Sequence, residues 1–325
     1  MQRILLLLLL SQALSQDVEA TLNYLEPKLG AGLLASVSLR KQLRDARAMS
    51  CRLETCGFEL GSMNMSHVAS SIEDFEAQRS EQKKQLMLLA VHLLEQRIPH
   101  AKVIPFDTKC RRSTAAAAGP PDTFQAYMAG HAPVARGCFY GERPAAPFTE
   151  VHGDYTKSSA VGRLESLATL KGPFGAPQLP RRLFERLLAG QRFFFVNVWG
   201  NLSPRAMKRQ PLALLDARTV LLKDTFAWVQ QGPNSTAVYD GFSGGSEVDY
   251  VKESLGVRAS SAHQWYYFPE LRRGEVLLFK TYDSLDSQRV QASFHSAFEH
   301  PATKSTDAMR ESFEVRLLVV TPEAK

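Results

Sequence analysis

A histidine and an aspartate two positions apart, His152 and Asp154 in TEVHGDYTKSS, have the types and spacing to bind a metal ion. In an extended segment, residues i and i+2 point to the same side, so both side chains can reach one ion while Gly153 faces away. Two histidines and one carboxylate form the ligand set of non-haem Fe(II) oxygenases, which leaves positions open for a cosubstrate and O₂. The pair is a weak signal on its own, because this spacing is common by chance.

A third ligand has to come from a later histidine, and the candidates are His263, His295 and His300. His295 lies inside the apolar segment ASFHSAFEHP, where an unpaired polar side chain would be costly unless something binds it. His300 adjoins Pro301 at the end of that segment and is compatible with a solvated loop. We therefore favour His295, although spacing alone leaves His300 open.

A cation that could hold a cosubstrate carboxylate follows in MRESFEVRLL. Alternation places the charged and hydroxyl side chains of this segment on one face and its apolar side chains on the other. The first set is Arg310, Ser312, Glu314 and Arg316. Arg310 and Ser312 could together bind the distal carboxylate of 2-oxoglutarate. Tyr155 is a further candidate contact to the cosubstrate, but a tyrosine that only fills the mouth of a barrel is at least as common.

The elements that must position these residues are predicted to be mainly strands. Short β-branched and aromatic segments separated by turns follow residue 145 and favour a sandwich, barrel or jelly roll, with one clear helix at 181–191. The strand segments are 193–199, 211–222, 262–271, 275–284, 292–300 and 311–321, and 101–108 is an earlier one. The leucine-rich, charged sequence of residues 17–100 predicts a helical segment that packs on the β domain at 101–325.

The first residues, MQRILLLLLLSQALSQ at 1–16, have the layout of a secretory leader, with Arg3, an apolar run and a small-residue site. The run is too short to span a bilayer as a helix, so no stable membrane span is expected. A frayed amphipathic terminus explains the segment equally well. Localisation therefore stays open between the cytoplasm and the secretory pathway.

Composition points to a soluble globular protein, since 44% of the 325 residues are hydrophobic and 22% are charged. The net charge is +6, but no aromatic-basic motif accompanies it, so we expect a small-molecule partner and no nucleic acid. Four cysteines are too few for a disulfide scaffold in a chain of this length, and we predict ordinary thiols. They are Cys51, Cys56, Cys110 and Cys138. Nothing in the composition sets an oligomeric state.

Seven blocks between about residues 100 and 321 together resemble the AsaB-like hydroxylase/desaturase family, which includes fungal gibberellin desaturases and relatives of the cephem methoxylase component. The blocks are VHGDYT, FFFVNVW, PLALLDARTV, HQWYYFPEL, EVLLFKTYDS, FHSAFEHP and RESFEVRLLVV. The resemblance implies a double-stranded β-helix (jelly roll) that uses Fe(II), 2-oxoglutarate and O₂ to oxidise a small molecule of secondary metabolism. It implies iron ligation by His152, Asp154 and His295, and 2-oxoglutarate binding by Arg310 and Ser312.

One departure from the family is Gly200, which follows NVW where relatives often carry an arginine. Two alternative functions also remain: a jelly-roll binding protein without turnover, and a cupin-type metalloenzyme that does not use 2-oxoglutarate. The complete set of three ligands argues against the first, and the Arg310-x-Ser312 pair argues against the second. Hydroxylation or desaturation depends on how the substrate is placed, which the sequence does not specify.

Overall fold

Two β-sheets that pack face to face dominate the computed structural model, which describes residues 16–27, 34–113, 146–170, 177–229, 253–285 and 292–322. Apolar side chains from both sheets meet between them, among them Leu212 and Leu214 from one sheet and Leu277 and Phe279 from the other. This architecture confirms the predicted jelly roll. The space between the sheets is where inward-facing polar side chains can form a site.

The major sheet has five antiparallel strands in the order β3-β11-β6-β13-β4. The strands are β3 (Phe58–Ser62), β4 (Lys102–Arg112), β6 (Phe193–Asn201), β11 (Glu275–Asp283) and β13 (Glu311–Val320). Every residue of the central β6 is buried, because helices cover one face of the sheet and the second sheet covers the other. This double cover explains why FFFVNVW reads as an almost continuous apolar run instead of an alternating one.

The second sheet has six strands in the order β12-β7-β10-β2-β1-β5. They are β1 (Val18–Pro27), β2 (Leu34–Asp45), β5 (Glu150–Val151), β7 (Leu212–Leu215), β10 (Trp265–Tyr267) and β12 (His295–Ala297). A separate antiparallel pair is formed by β8 (Thr225–Val229) and β9 (Glu253–Val257). The segments predicted at 211–222, 262–271 and 292–300 are therefore strands over only three or four of their residues.

Four α-helices complete the described fold: α1 (Ile72–Ala77), α2 (Arg79–Arg97), α3 (Lys157–Thr169) and α4 (Arg181–Leu188). Leu86, Ala90 and Leu94 of α2 form an i, i+4, i+8 stripe that packs on the outer face of the major sheet. A capping box formed by Thr156 and Ser159 begins α3 directly after the His152 and Asp154 segment. No helix among the described residues is long and apolar enough to cross a membrane.

The prediction of a helical segment over 17–100 is wrong in its first part, because Val18–Pro27 and Leu34–Asp45 are paired strands of the second sheet. Burial in β1 follows strand alternation, with Leu22 and Tyr24 buried and Thr21 exposed. The first α-helix begins only at Ile72, and α1 and α2 do pack on the β core as expected. The helix at 181–191 is confirmed by α4, while α3 was not predicted.

The prediction that all four cysteines are thiols is also wrong, because Cys51 and Cys56 form a disulfide. Their Cα atoms are 5.5 Å apart in the loop before β3, within the range that a disulfide requires. A spacing of five residues gave no sign of this turn, since four connecting residues suit many conformations. Cys110 is a buried free thiol, and Cys138 lies outside the described residues.

Candidate active site

The backbone brings His152 and His295 together as an antiparallel cross-strand pair. The His152 amide donates to the His295 carbonyl at 3.2 Å, and the His295 amide donates to the His152 carbonyl at 3.0 Å. Directly opposed residues point their side chains to the same face of a sheet, and the ring centroids are 4.3 Å apart. The pairing of the chain just after β5 with β12 therefore positions two candidate ligands.

Asp154 completes a cluster with these histidines. One donor atom from each of His152, Asp154 and His295 lies within 4.8 Å of the others, and His152 Nε2 is 3.8 Å from Asp154 Oδ1. Two imidazoles and one carboxylate are the donor set that suits Fe(II) with further positions left open. The structure thus brings together the three residues that the sequence proposed as ligands.

The orientation of both rings suits metal binding. His152 Nδ1 lies 2.8 Å from the Glu150 carbonyl oxygen, and His295 Nδ1 lies 3.5 Å from the Ser293 carbonyl oxygen. A carbonyl can only accept a hydrogen bond, so each Nδ1 carries the proton and each Nε2 keeps a free lone pair. This use of a backbone carbonyl to fix the ring is typical of metal-ligating histidines.

The protonation states of the cluster also suit a cation. Burial lowers the pKa of His152 to about 3, and His295 adds to that effect. Burial likewise lowers the pKa of His295. Burial acts to raise the pKa of Asp154, but Arg316 outweighs it and holds that pKa well below its usual value. At about pH 7 the cluster therefore presents two neutral imidazoles and one carboxylate, the forms that bind metals.

Two residues on the major sheet hold the second oxygen of Asp154. Asn197 Nδ2 donates to Asp154 Oδ2 at 2.9 Å, and Arg316 Nη2 lies 3.4 Å from the same atom. Arg316 also donates from Nε to Glu314 Oε1 at 2.8 Å. Because Oδ2 is occupied in this way, Oδ1 is the oxygen that faces His152. Asn197 and Arg316 are paired across β6 and β13, a register that the sequence did not reveal.

Arg310, directly before β13, and Ser312 on β13 lie side by side, as alternation predicted. Arg310 Nε donates to Ser312 Oγ at 3.0 Å, and Nη1 donates to the Gln210 carbonyl at 2.7 Å. The guanidinium carbon is 5.0 Å from the centroid of the Trp199 ring. Burial and the charge of Arg111 lower the pKa of Arg310 to about 9. Within the described ranges no carboxylate forms an ion pair with Arg310, so this buried cation fits an anionic ligand.

The other candidate site residues, Tyr155, His263 and His300, each have different surroundings. Tyr155 is buried against Phe195, with 4.8 Å between ring centroids, and its hydroxyl finds no hydrogen-bond partner among the described residues. His263 is buried, and both of its ring nitrogens lack partners in the part of the chain that the structure describes. His300 lies apart from the cluster, where its Nε2 is 3.2 Å from the Tyr267 hydroxyl.

The departure at Gly200 has a steric cause. A Cβ atom at this position would lie 2.7 Å from Cζ of Phe313 on the neighbouring strand β13. An arginine at position 200 would therefore displace Phe313 from the core beneath α2. The glycine therefore leaves room for the aromatic side chain of Phe313, which is its direct partner in the register of β6 and β13.

Comparison with known proteins is consistent with this site. A family model described as "Oxidoreductase/YMDC permease-like domain" matches residues 26–320. The chain is 37% identical over 133 residues to the hydroxylase/desaturase asaB of Aspergillus flavus, covering 39% of this chain and 55% of that protein. It is 31% identical over 177 residues to the hydroxylase/desaturase efuI of Hormonema carpetanum, covering 54% and 52%. The chain spans about half the length of the curated relatives it matches.

A solved structure of the iron and alpha-ketoglutarate-dependent endoperoxidase NvfI superposes with a TM-score of 0.67 and 21% identity, and the match covers 95% of this chain and 99% of that chain. At this identity the likeness establishes the jelly-roll fold. The seven sequence blocks, the family match and these relatives agree, so the predicted resemblance is confirmed. The chain belongs to the family described as Oxidoreductase/YMDC permease-like domain, in which it is similar to the AsaB-like hydroxylase/desaturases.

Proposed function

We propose that this protein is an Fe(II)- and 2-oxoglutarate-dependent dioxygenase that hydroxylates or desaturates a small organic substrate of secondary metabolism. The observation that carries the proposal is the convergence of His152, Asp154 and His295, with both Nδ1 atoms directed at backbone carbonyls and both Nε2 atoms left free. Two relatives, a hydroxylase/desaturase and an Fe(II)/2-oxoglutarate-dependent dioxygenase, support the same activity.

In this proposal His152, Asp154 and His295 bind Fe(II), which with 2-oxoglutarate and O₂ supplies the oxidising chemistry. The protein's own contribution is to hold the ligands in place. Asn197 and Arg316 occupy Oδ2 of Asp154, so the carboxylate offers a single oxygen to the cation. Open coordination positions then remain for the cosubstrate.

Arg310 and Ser312 bind the distal carboxylate of 2-oxoglutarate in this proposal. Ser312 already accepts from Arg310 Nε, and its own hydroxyl proton is free to donate to a carboxylate oxygen. Trp199 stacks against the guanidinium and fixes its plane. Tyr155 is the weaker of the cosubstrate contacts, supported only by its unpartnered hydroxyl near Asp154 among the described side chains.

Turnover without a known substrate can test this function. We expect purified protein given Fe(II), 2-oxoglutarate and O₂ to form succinate slowly, because such enzymes can consume the cosubstrate without oxidising a substrate. His295→Ala should abolish this succinate, and His300→Ala is the matched control that should retain it, since His300 lies outside the cluster. Succinate formation that is equal in wild type and His295→Ala would contradict the proposal.

A further inference from the structure

The inward faces of β4 and β13 form a ladder of directly opposed residues beside the candidate metal site. The register pairs Asp107 with Arg316, Lys109 with Glu314, and Arg111 with Ser312. The intervening residues Cys110 and Phe313 belong instead to the core beneath α2, so the paired polar residues face the other way. The three pairs run along the two strands from Arg316, which contacts Asp154, to Ser312, which is proposed to bind the cosubstrate.

The first two rungs each combine opposite charges. Arg316 Nη1 lies 3.9 Å from Asp107 Oδ2. On the second rung, burial acts to raise the pKa of Glu314, but Arg316 and then Lys109 help to lower it. Opposite charges across a strand pair stabilise each other, which explains how these groups are tolerated so far from water.

The third rung breaks this pattern, because Arg111 faces the neutral Ser312. Arg111 Nη1 donates to the Ala146 carbonyl at 2.7 Å. In the described ranges no carboxylate lies within ion-pair distance of it. Arg310 follows at the same end of the ladder and also has no acidic partner there. Two arginines that have no acidic partner among the described residues thus lie at the same end of the ladder.

The charge of Arg111 changes the pKa values of groups inside the site. It contributes to lowering the pKa of His152, of Arg310 and of Glu314, so its charge acts on one candidate metal ligand and on the cosubstrate cation together. A partly exposed arginine in this position can be reached by a ligand, whereas the buried Arg316 on the first rung already has its acids. The pair of Arg111 and Ser312, which lacks an acidic residue, therefore suits the binding of an anion.

We propose that Arg111 binds a carboxylate within the site, as a second cation beside Arg310. The inference rests on the proposed function and extends it to a residue that no motif singled out. The carboxylate belongs either to the distal end of 2-oxoglutarate, shared with Arg310, or to an anionic substrate. Arginine suits both because its planar fork can bind a carboxylate through two parallel hydrogen bonds.

Anaerobic titration of the Fe(II) protein, followed by the visible charge-transfer band, distinguishes these sources. Two probes are used: 2-oxoglutarate, and 2-oxobutanoate, which lacks the distal carboxylate. If Arg111 holds the distal carboxylate, Arg111→Met raises the Kd for 2-oxoglutarate about tenfold or more and leaves that for 2-oxobutanoate unchanged. Arg111→Lys keeps the charge and should recover part of the affinity.

If Arg111 holds a substrate carboxylate, both of these Kd values stay unchanged in Arg111→Met. Benzoate, used as a carboxylate probe, then perturbs the band of the wild-type 2-oxoglutarate complex and fails to perturb that of the variant. Arg112→Met is the matched control, since Arg112 follows directly on β4 but pairs with Glu311 and Glu73 away from the site.

Two results would overturn the inference and separate it from the proposed function. A wild-type band with unchanged affinities for all three probes in Arg111→Met refutes the role of Arg111 alone, as does an equal loss in Arg112→Met. The absence of a band in folded, iron-loaded wild type refutes the proposed function and this inference with it.

Discussion

Replacing Asn197 by leucine removes the shortest hydrogen bond to the candidate metal ligand Asp154 while preserving the size of the side chain. Asn197 Nδ2 lies 2.9 Å from Asp154 Oδ2, and Asn197 is fully buried in the central strand β6. A hydrogen bond to a charged group contributes about 1.5–3 kcal/mol. Arg316 still contacts Oδ2 at 3.4 Å, so Asp154 keeps its charge but loses part of its orientation.

If that energy serves to hold Asp154 in its metal-binding orientation, Asn197→Leu should weaken Fe(II) affinity by about 10- to 100-fold, since each 1.4 kcal/mol is about tenfold. Anaerobic calorimetric titration with Fe(II) measures this directly. Co(II) titration followed by its visible bands gives an independent value and reports the coordination geometry.

Asn201→Leu is the matched control, because Asn201 is also fully buried on β6 and donates its amide to two backbone carbonyls instead of Asp154. Both variants should lose stability, but only Asn197→Leu should lose metal affinity. Equal Fe(II) affinity in Asn197→Leu and wild type would refute the positioning role. An equal loss in Asn201→Leu would attribute the effect to general disruption of the strand.

Three further outcomes follow from the buried charges. Arg310→Met should raise the Kd for 2-oxoglutarate by about 10- to 100-fold without changing Fe(II) affinity, because a charge-assisted pair is lost, and titration of each ligand separates the two effects. Lys280→Met should lower the free energy of unfolding by about 3 kcal/mol in urea, since Lys280 Nζ lies 2.8 Å from Asp283 Oδ2 and both side chains are buried. Asp283→Asn should weaken the acid dependence of stability. Burial acts to raise the pKa of Asp283, but Arg192 and Lys280 outweigh it, so the folded pKa lies below the unfolded value of about 3.9. The stabilisation by Asp283 is therefore present above the unfolded pKa and is lost as the pH falls through the folded pKa. Urea unfolding at a series of pH values checks this, and parallel curves for variant and wild type would contradict it.

Local pattern predicted much of the β domain and the residues of the candidate site. Period-2 alternation placed Arg310 and Ser312 on one face at the start of β13, and Phe313 and Val315 on the other, in the core. A polar residue inside an apolar strand selected His295 over His300.

The features that escaped prediction depend on contacts between distant parts of the chain. The leucine-rich sequence of the first two strands, Val18–Pro27 and Leu34–Asp45, also suits a helix. They are strands because they pair with each other and join the sheet that carries His295. Asn197 meets Asp154 because the segment that follows β5 packs against the major sheet. The Cys51–Cys56 disulfide depends on a turn that no local motif specified.

Anaerobic addition of Fe(II) and then 2-oxoglutarate tests most directly whether His152, Asp154 and His295 form a metal site that binds this cosubstrate. We predict a weak visible charge-transfer band in wild type and in His300→Ala, and its loss in His295→Ala and His152→Ala. A band of equal strength in His295→Ala, or no band in folded wild type that has bound iron, would contradict the account.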